Sequence, residues 1–253
     1  MRLFINGDDF GMNRSCSRAI AEALCAGLID GATMMANGEC FDGAVKLMTR
    51  DGFSGKIGVH FNLTEGRPLT AEIEKYETFV KDGFFHKDYL RSPHPLTNEE
   101  QAAVYAELSA QVTRLKRAGI NVTRADSHHY IHTFEYLAPL AASVCKEHGI
   151  KQIRLNRTFD TPERPAITKD RISNKFWREN GFTTTDNFGR LSDLRSGIIS
   201  GRTEIMVHPD YDKNGVLIDR TGYCDGFPKG DSLSVIYDIK QKITGGSYEG
   251  INY

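Results

Sequence analysis

The stretch Leu3-Phe4-Ile5-Asn6-Gly7-Asp8-Asp9-Phe10-Gly11 decides the fold class. A short apolar run ends in two adjacent carboxylates and a helical pattern follows at once, which is how a βα unit of an α/β enzyme begins. In such folds the ligand-binding groups sit at the C-terminal ends of parallel strands, and Asp8 and Asp9 fall at that place. Side chains alternate along a strand, so the two carboxylates are expected to point in different directions. Burying two like charges there is costly without a cation or a proton between them. One therefore reads as a metal ligand and the other as a base. For an isolated Asp-Asp the simpler account is an Asx turn or a helix cap ahead of Asn13 and Ser15, and only ligands elsewhere in the chain overturn it.

Working outward, apolar runs and helical patterns keep alternating, the signature of βα units and a mainly parallel sheet. Strands are expected at 2–7, 32–36, 57–63, 121–127, 150–155 and 204–207. Helices are expected at 15–27, 41–50, 97–118, 134–148, 191–200 and 231–243, the third with Thr97 or Asn98 as cap and Glu99 and Glu100 in its positive first turn. The count approaches seven units. Residues 66–96 and 157–189 break the rhythm with prolines and read as long functional loops, or as stretches holding short elements. At 253 residues the chain is long enough for one α/β barrel. With no linker, repeat or low-complexity segment, 1–253 reads as a single domain.

A formal net charge of −1 and no basic block leave no electrostatic footprint for nucleic acid, so a small neutral or mildly charged ligand fits better. Five scattered cysteines without CxxC spacing argue against a disulfide framework and against a thiolate zinc site, and point to a reducing cytoplasm. No apolar run reaches membrane-spanning length, and Met1-Arg2 leads straight into a run too brief for a signal peptide. A soluble cytoplasmic protein is expected, with no membrane partner; a homodimer is compatible with this.

Three more strand ends carry chemistry. In Ile57-Gly58-Val59-His60-Phe61-Asn62-Leu63-Thr64, alternation puts His60 and Asn62 on one polar face. Asp126-Ser127-His128-His129-Tyr130-Ile131-His132 holds three histidines in five residues, and a spacing of four puts His128 and His132 on one face in strand or helix. In Glu204-Ile205-Met206-Val207-His208-Pro209, the proline holds His208 extended; His208 reads as a ligand, a general acid or a structural residue. Arg154 reads as positioning a carboxylate or substrate, or as a salt-bridged scaffold residue. A carboxylate with imidazoles from different strand ends suits zinc or a similar divalent ion. The Asp9-Phe10-Gly11 triplet fails as a kinase motif, since no Gly-rich loop, strand lysine or HRD loop accompanies it, and Walker A, GxSxG and HExxH motifs are absent.

With NGDDFG at 6–11, GVHFNLTEGRPL at 58–69, DSHHYIH at 126–132 and MVHP at 206–209, the chain resembles the YdjC-like carbohydrate deacetylases, which include diacetylchitobiose deacetylases. The resemblance implies a distorted, incomplete TIM-like (β/α) barrel, metal ligation by Asp9, His60 and His128, and Asp8 as catalytic base. It implies removal of acetyl from an N-acetylated sugar such as a chitooligosaccharide, with one divalent ion, zinc ahead of magnesium, and a small carbohydrate substrate. His208 is the candidate for protonating the leaving amine, with His132 its competitor; Arg154 and His132 are assigned to substrate binding. Where the family commonly has Gln and His, this chain has His129 and Tyr130, and Asp210 stands in its HPGY segment. The rival readings are another metal-dependent hydrolase, such as a phosphoesterase, and a non-catalytic sugar-binding protein.

Overall fold

The computed structural model describes residues 2–91, 95–159, 167–194, 201–220 and 231–244. The chain begins β1 (Arg2–Phe10), α1 (Arg14–Cys25), β2 (Gly31–Met34), α2 (Phe41–Asp51), β3 (Ile57–Phe61). A hairpin of β4 (Val80–Lys81) and β5 (Phe84–Phe85) leads to α3 (Asn98–Arg117), β6 (Arg124–Ser127), α4 (Ala138–Glu147) and β7 (Gln152–Ile153). Then come α5 (Thr168–Glu179), β8 (Asn187–Arg190), α6 (Leu191–Leu194) and β9 (Arg202–Val207), followed by β10 (Pro209–Tyr211), β11 (Leu217–Asp219), β12 (Asp231–Ser232) and α7 (Ser234–Thr244).

Seven strands form one parallel sheet in the order β7-β6-β3-β2-β1-β9-β8, a curled half-barrel flanked by helices. This is the incomplete α/β barrel the motifs implied. β2 lies at its middle, with β1 beside it. From Leu3 onward β1 is buried, and β2 and β3 are buried throughout, as parallel strands covered on both faces must be. The order brings the C-terminal ends of β9, β1, β3 and β6 along one rim. Register fixes the neighbours: His60 pairs with Asp126 and Phe61 with Ser127, while Gly7 pairs with Val207, one residue short of Asp8 and His208.

Local chemistry sets the helix starts. Asn13 Oδ1 accepts the Cys16 N–H at 2.9 Å, and α1 then buries Cys16, Ile20, Ala23 and Leu24 on one face. At α3, Thr97 Oγ1 accepts the Glu100 N–H while Glu100 Oε2 accepts the Thr97 N–H, a reciprocal capping box.

The stretch 66–96 is more structured than a loop. Within its described residues it carries the β4–β5 hairpin, buries Ile73, Phe79, Phe85 and Tyr89, and is tied to α3 by Glu107 Oε2, which accepts from Leu69 N, Thr70 N and Thr70 Oγ1. In 157–189 the described residues hold α5 and β8. Of the helix expected over 191–200, residues 191–194 are helical and 195–200 lie outside the described residues. No described helix is long and apolar enough to cross a membrane.

Candidate active site

The two carboxylates of β1 reach one cavity because the strand does not alternate there. Against β2 the register runs Gly7 with Ala32 and then Phe10 with Met34, three residues on β1 for two on its neighbour. This bulge turns Asp9 to φ 72°, a left-handed conformation that Asp tolerates better than most residues. The expectation that Asp8 and Asp9 point apart is thereby corrected: both are buried, and both line the same cavity. Gly11 completes the turn at φ 93°, where a Cβ would press within 3.1 Å of the Met35 carbonyl oxygen.

Around Asp9 Oδ1, His128 Nδ1 stands at 2.8 Å and His60 Nε2 at 3.2 Å. Asp9 Oδ1 and His60 Nε2 are buried without a properly aligned hydrogen-bond partner. Convergent oxygen and imidazole donors left unsatisfied in a buried place are costly unless a cation joins them. Behind the cluster, Asp126 Oδ1 lies 2.6 Å from His60 Nδ1, and a carboxylate can only accept there, so Nε2 faces Asp9. Thr33 Oγ1 donates to Asp126 Oδ2 at 2.9 Å. Burial works to raise the Asp9 carboxyl, but His128 and His60 outweigh it and hold it well below the usual range. Burial likewise works to lower the two rings, and the facing carboxylates prevail: Asp126 brings His60 to about 10, and Asp9 brings His128 to about 9. Without an ion, protons fill the place between these groups. The donor set fits a divalent ion held by Asp9, His60 and His128.

Asp8 is held differently. Arg154 Nη1 and Nη2 donate to its two oxygens at 2.5 and 2.7 Å, and Asn6 Nδ2 donates to Oδ1 at 2.8 Å. The same guanidinium meets Asp126 Oδ2 at 2.6 Å and Glu204 Oε1 at 2.7 Å. Burial would lower the Arg154 pKa, yet these three carboxylates raise it well above its ordinary value. Burial pushes Glu204 upward.

The cavity measures about 770 Å³ and opens over Asp8, Asp9, His60 and His128, with Glu65, His129, Tyr130, Arg190, His208 and Arg220 on its walls. His208 carries a buried Nδ1 without a hydrogen-bond partner, 4.0 Å from Asp219 Oδ1, while its backbone N–H donates to that oxygen at 2.9 Å. Arg220 Nη2 meets the other Asp9 oxygen at 2.9 Å. A family model described as YdjC-like protein matches residues 2–234. The chain belongs to the YdjC-like family. It is 31% identical over 222 residues to a carbohydrate deacetylase from Brevibacillus brevis (strain 47), covering 86% of this chain and 84% of that protein. Its fold is similar to the crystal structure of a protein from Enterococcus faecalis V583 named for cellobiose-phosphate cleavage, with a TM-score of 0.74, 19% identity, and coverage of 100% of this chain and 97% of that one.

Within this YdjC-like chain, five residues singled out from sequence meet in one cavity: Asp8, Asp9, His60, His128 and His208. Arg154 and His132 do not reach it. Arg154 is 2% exposed and spends its donors on carboxylates, so it positions Asp8 rather than touching substrate. His132 is 1% exposed, with Nδ1 on Ser127 Oγ at 2.5 Å and Nε2 on the Arg154 carbonyl oxygen at 3.1 Å. Burial lowers it to about 4, so it is neutral and enclosed, which corrects its assignment to substrate binding and removes it as a competing acid. Sequence reasoning missed Asp126, Glu204, Asp219 and Arg220. A Glu inside a short apolar strand, four residues before His208 and on its face, was a readable signal for Glu204. Nothing in the sequence marked Arg220.

Proposed function

We propose that this protein is a metal-dependent hydrolase that removes the acetyl group from an N-acetylated sugar, a chitooligosaccharide such as diacetylchitobiose or a related acetamido sugar, and releases acetate. One observation carries the reading: buried, unsatisfied ligand atoms of Asp9 and His60 converge with His128 beside a separately anchored Asp8 in one open cavity. The name of the Brevibacillus relative supports the substrate class. Asp9, His60 and His128 would hold the divalent ion, zinc by their donor set, which would supply Lewis-acid chemistry: polarisation of the acetyl oxygen and a lowered pKa for the attacking water.

The residues supply the rest. Asp8 Oδ2 accepts only the Arg154 hydrogen among the described residues, which leaves a lone pair to take the proton of the attacking water. Arg154 and Asn6 hold that carboxylate still, so no orientation is lost when water arrives. An amine anion cannot leave, so the nitrogen must be protonated as the C–N bond breaks. His208 lines the cavity and gives this proton, with Asp219 placed to steady the charged ring. The phosphoesterase alternative in its two-ion form needs carboxylates free to share between ions, and here the second carboxylate, Asp8, is engaged by Arg154.

The test separates the two aspartates. Asp8→Asn keeps the ion and loses turnover on N-acetylated disaccharides by orders of magnitude, whereas Asp9→Asn loses the tightly bound ion as well. Equal metal content in both variants with only Asp9→Asn inactive inverts the two roles.

A further inference from the structure

The His128 ring has two faces, and the site described above uses one. Its Nδ1 points to Asp9, while the opposite Nε2 is buried without a hydrogen-bond partner and aims at Glu65 Oε1, 3.6 Å away. The Nε2 of His129 lies 4.0 Å from the same Glu65 oxygen. Its Nδ1 is engaged by Thr64 Oγ1 at 2.9 Å, which fixes the ring with Nε2 turned to the cavity. The two imidazoles lie side by side, centroids 4.0 Å apart and planes tilted by 45°. We infer that Glu65, His128 Nε2 and His129 Nε2 form a second divalent-ion site in the wall of the cavity, selective for zinc or a similarly soft ion, whose filling obstructs substrate.

The distances suit such an ion. Zinc bonds of about 2.0–2.2 Å set neighbouring tetrahedral donors roughly 3.3–3.5 Å apart. Glu65 is nearly half exposed, so its carboxylate can close the small remaining gap. Two imidazoles and one carboxylate favour zinc over magnesium. With the first ion on Nδ1, the second takes Nε2 by displacing the ring's last N–H proton to solvent, and the ring then bridges the two. An imidazole holds its two ions roughly 6 Å apart, beyond the ~4 Å over which paired ions share one reacting oxygen. The second ion therefore takes no part in hydrolysis, and it stands in the wall of the cavity that substrate must enter.

This inference rests on the reading of Asp9, His60 and His128 only through the shared ring, and titration separates the two. Zinc chloride is titrated calorimetrically into ion-free protein, and bound zinc is counted by atomic emission. The wild type takes two equivalents, the second weaker; Glu65→Gln and His129→Gln each take one at concentrations that fill both in the wild type. His60→Ala loses the tighter equivalent and keeps the weaker. A wild type that saturates at one equivalent, or a second equivalent surviving in either Glu65→Gln or His129→Gln, overturns the inference. If His60→Ala keeps both equivalents, the inner reading fails while the outer site stands.

Discussion

Replacing Arg154 by Met tests how the buried charges under the cavity are held. Its guanidinium makes charge-assisted contacts of 2.5–2.7 Å to Asp8, Asp126 and Glu204, all sealed from solvent. Methionine fills comparable space and leaves three carboxylates without their shared cation. Breaking a buried ion pair from one side costs about 3–5 kcal/mol. At roughly 2–4 °C per kcal/mol for a protein of this size, melting falls by about 6–20 °C. Turnover falls further than stability explains, because Asp8 loses the fork that fixes it, and a displacement near 1 Å costs on the order of a hundredfold. Arg154→Lys keeps the charge and loses the two-pronged geometry, so it recovers much of the melting temperature and little of the turnover. Adding Glu204→Gln to Arg154→Met removes one stranded charge and recovers part of the stability. Calorimetric melting and initial rates of acetate release measure both effects. An Arg154→Met protein that melts with the wild type and keeps its turnover refutes the account of Arg154 as the anchor of Asp8.

His208→Ala should leave the tightly bound ion in place and lower kcat on acetamido sugars by about 10²–10⁴-fold, the usual worth of a general acid. An activated ester, whose leaving group needs no proton, should suffer far less, and equal losses on both substrates would make His208 structural. Uptake of the first ion at neutral pH should release about two protons, because His60 near 10 and His128 near 9 must each give one up to become ligands. Affinity therefore climbs as pH rises towards those values and collapses in acid. Calorimetry in buffers of different ionisation enthalpy reads the count, and uptake without proton release contradicts the charge state assigned to the two rings.

The candidate site was legible because its groups sit where strands end. Asp8, Asp9 and His60 lie in the last residues of β1 and β3, His128 and His208 directly follow β6 and β9, and parallel topology carries such ends to one rim. What strand periodicity hid was the bulge at Asp8–Asp9, since one extra residue in a strand has no marker in a single sequence and reverses which way a side chain faces. His132 was misplaced because it follows the cavity residues His128–Tyr130 in the chain while the turn after β6 directs it into the layer beneath; Arg154, one residue past β7, is buried in that same layer. α5 escaped notice because its buried face is Ser173, Asn174 and Trp177, which gives no apolar period. β8 has four residues and a glycine that Phe159 packs against, too short for alternation to show. The capping box of α3 was readable from Thr97 and Glu100 alone, because that motif is purely local.

The central claim is that hydrolysis of an acetamido sugar depends on an ion held by Asp9, His60 and His128. Its most direct test is acetate release from a panel of N-acetylated mono- and disaccharides, measured before chelation, after chelation, and after return of one equivalent of zinc. The account predicts activity lost with the ion and regained on its return, while circular dichroism stays unchanged throughout, since three ligands at the rim do not hold the barrel core together. Full acetate release from protein shown by elemental analysis to carry no metal would contradict it.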